Sequence, residues 1–170
     1  MALTLPATAL AMLALVVSGA AFAWSAVSDI RTYQIPNTAS ALIVLSYLIF
    51  AFCVPSAPRL GALAVGVAVF AISLFLFLRG SMGGGDVKLL TAASVWSGPH
   101  LLADFAIVTG MVGALLAGAL LSPLRRLMPR APSDVTPSAG VAALRQPMPY
   151  GFAIAVGGLF VLTQQSTLIR

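Results

Sequence analysis

Two aspartates lie beside strongly apolar segments, where a charged side chain is costly. The chain has four acidic residues, Asp29, Asp86, Asp104 and Asp134, and no glutamate. Asp29 follows the first apolar segment, and Asp86 follows a run of glycines between two others. An ionisable group at membrane depth marks a candidate functional site. Asp29 and Asp86 are therefore the candidate catalytic residues.

A pair of aspartates permits a specific chemistry. Two carboxyl groups held close together cannot both ionise easily, so such a pair shares one proton. The ionised member can deprotonate a water molecule while the protonated member polarises a peptide carbonyl, as in aspartic proteases. This chemistry requires no metal or cofactor, and the sequence predicts neither. The single cysteine, Cys53, and the single histidine, His100, cannot assemble a structural zinc site. The residues favour a membrane-embedded aspartyl protease.

The residues around Asp86 are candidate substrate-binding residues. Gly83, Gly84 and Gly85 carry no side chains, so they can adopt positive φ and allow a substrate backbone to approach closely. Taken alone, three glycines are more simply a flexible turn; together with Asp86 they favour a binding role. Lys88 is two positions after Asp86, so the two side chains face different sides of a helix. Lys88 is predicted to face either a lipid headgroup or another part of the site.

The composition predicts a membrane protein. Hydrophobic residues make up 60% of the chain and charged residues 8%, and the mean hydropathy is +1.04. In soluble domains about a quarter of the residues are charged. We expect residues 1–170 to form one all-α helix bundle in the lipid bilayer, because only helices satisfy their own backbone there. The net charge is +5, but no basic stripe with interleaved aromatics occurs, so no nucleic-acid partner is predicted.

Hydrophobicity predicts six membrane spans. The first is interpreted as uncleaved, because a signal peptide would begin with basic residues. The spans are expected at about 1–28, 35–54, 60–78, 86–97, 101–121 and from 149 onwards. The fourth is short, since about 18 Å of helix precedes the Ser97-Gly98-Pro99 break, against a hydrocarbon core of about 30 Å. Either the glycine turn enters the membrane, or residues after Pro99 complete the crossing.

The basic residues predict the orientation. On this topology one side holds seven of them: Arg31, Arg79, Lys88, Arg125, Arg126, Arg130 and Arg145. The other side holds Arg59 and Arg170. The positive-inside rule places the seven in the cytoplasm and both termini outside. Asp29, Asp86 and a Pro/Arg-rich loop at about 123–147 then lie on the cytoplasmic side.

Three blocks of this sequence resemble a known family, the bacterial type IV prepilin peptidases. The blocks are Asp29–Asn37, Gly83–Lys88 and Pro149–Ala155, in the family's order. The resemblance implies that Asp29 and Asp86 are the catalytic pair. It also implies a prepilin substrate with a short basic leader, cut after a glycine at the cytoplasmic face of the bacterial inner membrane. Pilus-assembly or secretion proteins are the further partners that it implies.

The resemblance is to the small form of the family associated with Flp/Tad pili. Larger members carry a cysteine-rich, zinc-binding cytoplasmic domain and also methylate the new amino terminus. This chain lacks those cysteines and has a short loop after the first span, so methyl transfer is not expected. The Gly-x-Gly-Asp motif is also similar to that of presenilin-type proteases. The sequence around the other aspartate, Asp29 followed by Ile35-Pro36-Asn37, does not resemble those proteases.

Two alternatives remain open at the level of sequence. A small proton-coupled transporter or channel subunit would use Asp29 and Asp86 as ion-binding groups, since intramembrane carboxylates serve that role too. A non-catalytic assembly protein of a secretion complex is the other alternative. Co-expression with a candidate pilin, followed by mass measurement of its amino terminus, distinguishes these from a peptidase.

Overall fold

The protein is all-helical. The computed structural model describes residues 5–121 and 148–169, and within them five α-helices are followed by a short 3₁₀ turn. The helices are α1 (Leu5–Thr32), α2 (Asn37–Cys53), α3 (Arg59–Leu78), α4 (Gly84–Leu121) and α5 (Tyr150–Gln165), and the 3₁₀ turn is Ser166–Ile169. The predicted all-α class is confirmed. The predicted Pro/Arg-rich loop, with Asp134 and its four arginines, lies outside the described residues.

Four helical stretches are long and apolar enough to cross a membrane. They are α1, α3, α4 and the stretch from Tyr150 to Ile169, whereas α2 is a shorter apolar helix. The outer surface carries large exposed apolar side chains, such as Leu45, Leu63 and Ile72. Such a surface fits lipid as the surrounding solvent. The chain is thus a multi-pass membrane protein with four candidate spans among the described residues, and six transmembrane helices are not shown.

The predicted fourth and fifth spans form the two arms of α4. Gly98 has φ 54° and ψ −168°, which is not a helical conformation. Pro99 follows it and has no backbone N–H to continue a hydrogen-bond ladder. The predicted Ser97-Gly98-Pro99 break is therefore present, although helical residues on both sides give one continuous element.

The two arms of α4 run in opposite directions. If the helix were straight, Gly85 and Gly113 would lie about 42 Å apart. A Cβ atom added to Gly85 would instead lie 3.2 Å from Ile35, and one added to Gly151 would lie 2.5 Å from the same side chain. Gly113 packs against Tyr150, the neighbour of Gly151. Both arms therefore end at the same end of the bundle, and the chain reverses at the break.

The first arm of α4 is anchored by a fully buried tryptophan. Trp96 Nε1 donates a hydrogen bond to the Ile43 carbonyl of α2 at 3.0 Å. Its ring centroid lies 5.4 Å from that of Tyr47 and 5.1 Å from that of Phe50. The Trp96 carbonyl, close to the break, accepts a hydrogen bond from Gln165 Nε2 at 2.8 Å. Side chains of α2 and α5 thus support the end of the arm.

α5 packs closely on its neighbours through two adjacent glycines. A Cβ atom at Gly157 would lie 3.0 Å from the Phe105 ring in the second arm of α4. A Cβ atom at Gly158 would collide with the Phe22 ring of α1. Small residues at such contacts are typical of helices that pack in lipid. They allow α5 to lie between α1 and α4.

Replacing Gly98 by alanine should destabilise the bundle. Its φ and ψ belong to a region that only glycine adopts at low cost, and other residues lose about 1–3 kcal/mol there. The added Cβ atom would also lie 3.2 Å from the Pro58 side chain. We expect Gly98→Ala to unfold at a lower temperature in detergent than the wild type.

Gly118→Ala is the matched control for this experiment. Gly118 lies in the same helix with nothing within 4 Å of an added Cβ atom. Alanine should be neutral or stabilising there, because glycine in a helix interior costs up to about 1 kcal/mol. An unchanged unfolding temperature for Gly98→Ala would contradict the reversal at this residue.

Candidate active site

Asp29 lies in the last turn of α1. The first helix extends beyond the predicted span of residues 1–28, so Asp29 belongs to the helix and does not follow it. Its side chain is 4% exposed. The helix ends because Tyr33 adopts a left-handed conformation with φ 53°, and its N–H donates to the Asp29 carbonyl at 2.9 Å. Ser28 Oγ secures the turn by donating to the Gln34 carbonyl at 2.7 Å. Glycine usually occupies the left-handed position at a helix end. The backbone of Tyr33 is therefore strained, and this strain lies close to the Asp29 carboxyl.

The carboxyl group of Asp29 caps the N-terminus of α5. The Phe152 N–H donates to Asp29 Oδ2 at 3.1 Å, across 123 positions of the sequence. The Gly151 N–H is a second donor. α5 begins after Pro149, with no side-chain cap from that residue. The partial positive charge of a helix N-terminus stabilises a carboxylate in this position.

Gly151 is required where α5 meets α1. A Cβ atom on this residue would lie 2.9 Å from Asp29 Oδ2 and 2.5 Å from Ile35 Cδ1. Any larger residue would displace one or both of these side chains. Neither Gly151 nor Ile35 was predicted as a site residue from chemistry. Both fall within the blocks that resemble the family, which is the signal that could have identified them.

Asp86 lies in the first turn of α4, and its carboxyl group folds back over the start of that helix. The carboxyl accepts a hydrogen bond from the Gly83 N–H, and a Cβ atom on Gly83 would lie 3.1 Å from Asp86 Oδ2. This is half of a capping box, in which an acidic residue at the third helical position bonds the N-cap backbone. Asp86, like Asp29, is thus held at a helix N-terminus.

The structure brings the two aspartates together at one end of the bundle. Ile35, in the linker between α1 and α2, contacts Gly85 beside Asp86 and Gly151 beside Asp29. The two carboxyl groups are close enough for the charge of Asp29 to act on Asp86. This arrangement agrees with the prediction that both aspartates lie on the same side of the membrane. It joins residues from α1, α4 and α5.

Gly83, Gly84 and Gly85 do not use the positive φ that glycine permits. Among the described residues, the glycines with positive φ are Gly80 and Gly98. Gly84 and Gly85 belong to the first turn of α4. Their missing side chains allow close packing instead, since a Cβ atom on Gly84 would lie 3.3 Å from the Phe77 ring. Gly83 is exposed, and its substrate-binding role stays a prediction.

The ammonium group of Lys88 is turned towards α2. Lys88 Nζ donates a hydrogen bond to Asn37 Oδ1 at 2.8 Å. Among the described residues it forms no ion pair with a carboxylate. Asp104 lies in the second arm of α4 and is exposed. The structure thus separates Lys88 and Asp104 from the pair formed by Asp29 and Asp86.

Tyr33 is a polar neighbour of Asp29 that the sequence did not single out. Its side chain is half-buried. Burial, and then the negative charge of Asp29, raise the pKa of Tyr33 above its usual range. The hydroxyl group therefore stays protonated and can donate a hydrogen bond.

Within residues 5–121 and 148–169, no three His, Cys, Asp or Glu side chains come together in an arrangement that could hold a metal ion.

Comparison with models of known protein families gives a match. A model of the type IV leader peptidase family matches residues 15–118. The matched region contains Asp29, Asp86 and the first two of the three motif blocks. No curated protein and no solved structure matches the chain significantly. Since the matched region covers more than half of the sequence, the chain belongs to the type IV leader peptidase family and is an aspartic-type prepilin peptidase of the membrane.

Proposed function

We propose that Asp29 and Asp86 are the catalytic pair of this peptidase. The observation that carries the proposal is the placement of two largely buried carboxyl groups, from distant parts of the chain, close together at one end of the bundle. The family assignment favours a peptidase over a transporter that would use the same carboxylates. The pair removes the short basic leader of a prepilin.

Cleavage proceeds by general acid–base catalysis. The pair carries one proton, so one carboxyl is ionised and the other is protonated. The ionised carboxylate takes a proton from a water molecule, whose oxygen attacks the scissile carbonyl carbon. The protonated carboxyl gives its proton to the carbonyl oxygen. The tetrahedral intermediate is a diol, and its collapse breaks the C–N bond. The leaving amino group takes up the proton that the first carboxyl received, and a diol hydroxyl returns a proton to the second carboxyl, which restores the pair.

The two helix N-termini orient the catalytic pair. Asp29 is held by the backbone N–H groups at the start of α5, and Asp86 by the Gly83 N–H at the start of α4. Donors fixed in advance need no reorganisation when charge shifts between the carboxyls and the substrate. The fold thereby supplies orientation that short aspartate side chains lack.

An exposed segment of bare backbone adjoins the pair. Gly83 is exposed, and its Cα lies beside the Asp86 carboxyl. A peptide must be extended to present its scissile bond, and a residue without a side chain lets it approach closely. We assign the substrate backbone to this position. Gly84 and Gly85 contribute by packing against neighbouring side chains, which fixes the start of α4.

The substrate is a pilin of the Flp/Tad type. Two features support this subtype. The chain has a single cysteine, Cys53, so it offers no cysteine-rich zinc-binding domain. The linker between α1 and α2 consists of residues 33–36, which leaves no room for a domain at the place where larger members carry one. Methyl transfer is accordingly not assigned to this protein.

The site faces the cytoplasm. The end of the bundle that holds the aspartates also carries Arg31, Arg79 and Lys88, and positive residues mark the cytoplasmic side. With each arm of α4 counted as one crossing, the five helices make six crossings. Both termini then lie outside the cytoplasm. The first arm remains short, at about 21 Å, so its start lies below the membrane surface.

Neutralising either aspartate should abolish leader removal. Loss of a general acid or base costs about 10²–10⁴-fold in rate. We expect Asp29→Asn and Asp86→Asn each to lower the cleavage rate of a co-reconstituted prepilin by at least 10²-fold. The double variant should be no slower than the slower single variant, because groups that act as a unit are not additive. Mass spectrometry of the pilin amino terminus measures the cleaved fraction.

Asp104→Asn is the control for these variants, because it makes the same substitution at an exposed aspartate outside the pair. It should cleave at the wild-type rate. Near-normal cleavage by either Asp29→Asn or Asp86→Asn would rule out the shared mechanism.

Gly151→Ala should lower activity without unfolding the protein. The methyl group would push the Asp29 carboxyl from its position, and a misplacement of about 1 Å can cost 10²-fold in rate. We expect a loss of about 10²-fold in kcat, measured with unfolding temperature in the same preparation. Gly118→Ala is the control, because nothing lies within 4 Å of a Cβ atom added there. It should keep the wild-type kcat and unfolding temperature. Wild-type kcat in Gly151→Ala would mean that the α5 N-terminus does not position Asp29.

Thiol labelling tests the orientation. In a Cys53→Ser background, Ser56→Cys and Ser81→Cys place single thiols at exposed positions at opposite ends of α3. An impermeant reagent applied to spheroplasts should label Ser56→Cys at once. It should label Ser81→Cys only after permeabilisation. Immediate labelling of Ser81→Cys would reverse the assignment of the site to the cytoplasm.

A further inference from the structure

A groove lies between α2 and the first arm of α4, outside the catalytic pair. Its volume is about 500 Å³, and α3 contributes Phe70 to its wall. One end of the groove is lined by Asn37 and Lys88. This is the end of the bundle where the aspartates lie. Val44 and Leu48 line it further along α2. The groove is thus polar and cationic at one end and apolar along the rest.

The polar end has the chemistry of a phosphate site. Lys88 Nζ donates one hydrogen bond to Asn37 Oδ1 at 2.8 Å. The ammonium group has further N–H donors for another ligand. Because Asn37 accepts through Oδ1, its amide NH₂ is directed elsewhere as a donor. Asn37 also begins α2, a helix N-terminus without a side-chain cap, and such ends favour anions. Among the described residues, no carboxylate neutralises Lys88.

A buried hydroxyl group lies one turn below this end. Ser40 is 7% exposed and lines the groove, and its Oγ has no hydrogen-bond partner among the described residues. A buried hydroxyl without a partner is costly. Ser40 is three residues from Asn37, about 4.5 Å along the helix. An ester carbonyl below a phosphate would meet the hydroxyl at that depth.

The apolar part has the length of one acyl chain. From Asn37 to Leu48 the groove follows α2 for about 17 Å. One leaflet contributes about 15 Å to a hydrocarbon core of about 30 Å. The length of the apolar part therefore matches one acyl chain of one leaflet.

We propose that this groove is a binding site for an anionic glycerophospholipid. Its phosphate binds Lys88 and Asn37, an ester carbonyl accepts a hydrogen bond from Ser40, and one acyl chain lies against Val44, Leu48 and Phe70. The net negative charge of the headgroup balances the uncompensated Lys88. This assigns Lys88 to lipid and not to substrate. The site does not depend on the proposed catalytic pair, and its test does not require cleavage.

Native mass spectrometry of the purified full chain in detergent tests the site. Phosphatidylglycerol and phosphatidylcholine are titrated separately, and the bound fractions are compared. A basic residue near an anionic headgroup is worth about a five-fold preference. The wild type should therefore bind phosphatidylglycerol roughly five-fold more tightly. Lys88→Gln should remove that preference.

Two further variants separate the site from general effects. Arg79→Gln removes the same charge at the same end of the bundle, but Arg79 stacks on the Phe75 ring and does not line the groove. It should keep the wild-type preference. Ala41→Trp fills the groove from an exposed position and should weaken binding of both lipids. A melting measurement on each variant confirms that the bundle is folded.

Three outcomes would overturn the proposal. The first is equal binding of the two lipids by the wild type. The second is an equal loss of preference in Lys88→Gln and Arg79→Gln, which would show a general surface charge effect. The third is wild-type lipid binding by folded Ala41→Trp together with weaker binding of a prepilin, which would make the substrate the occupant. Loss of cleavage in the Asp29 and Asp86 variants is independent of all three.

Discussion

The contact between the Asp29 carboxyl and the start of α5 is the interaction on which the rest of the site depends. A buried carboxylate is costly unless hydrogen bonds and opposite charge compensate it. Here the compensation comes from backbone N–H groups of Gly151 and Phe152, which belong to the last helix. Helices α1 and α5 are thereby held together at the end that carries the proposed catalytic pair. Ile35 then packs between this junction and Gly85, so the position of Asp86 follows from the same contact.

The opposite end of the bundle contributes to the site through the reversal in α4. Gly98 turns the chain back, and Gln165 bonds the Trp96 carbonyl next to the break. The second arm returns to place Gly113 against Tyr150, at the start of α5. A glycine at one end therefore helps to fix the helix terminus that binds Asp29 at the other.

Much of the secondary structure could be predicted from hydrophobicity and from breaks in the chain. The bounds of α3 and the break at Gly98 follow from apolar runs ended by arginine, proline and glycine. The placement of Asp29 and Asp86 at one end follows from counting spans. These features are local, and lipid as solvent leaves the backbone few alternatives.

Other features could not be predicted, because they depend on tertiary contacts. The run from Gly83 to Gly85 indicated a turn in which positive φ is possible, whereas Phe77 and Ile35 occupy the space that side chains on Gly84 and Gly85 would need. The bond from Phe152 to Asp29 joins positions far apart in sequence. The count of six spans also differed from the element assignment, since hydropathy cannot tell two helices from two arms of one. Each difference arises where packing, and not composition, decides the conformation.

The distance in sequence between Asp29 and its backbone donors has a consequence for biosynthesis. Asp29 leaves the ribosome 123 residues before Phe152, which at about 5–20 residues per second is a delay of roughly 6–25 s. During that interval the start of α5 does not exist, and the carboxyl has no helix terminus to orient it. The proposed catalytic pair is therefore not yet oriented in the nascent chain. On the proposed mechanism, activity begins only after α5 has inserted, so membrane assembly and enzyme activation are the same event.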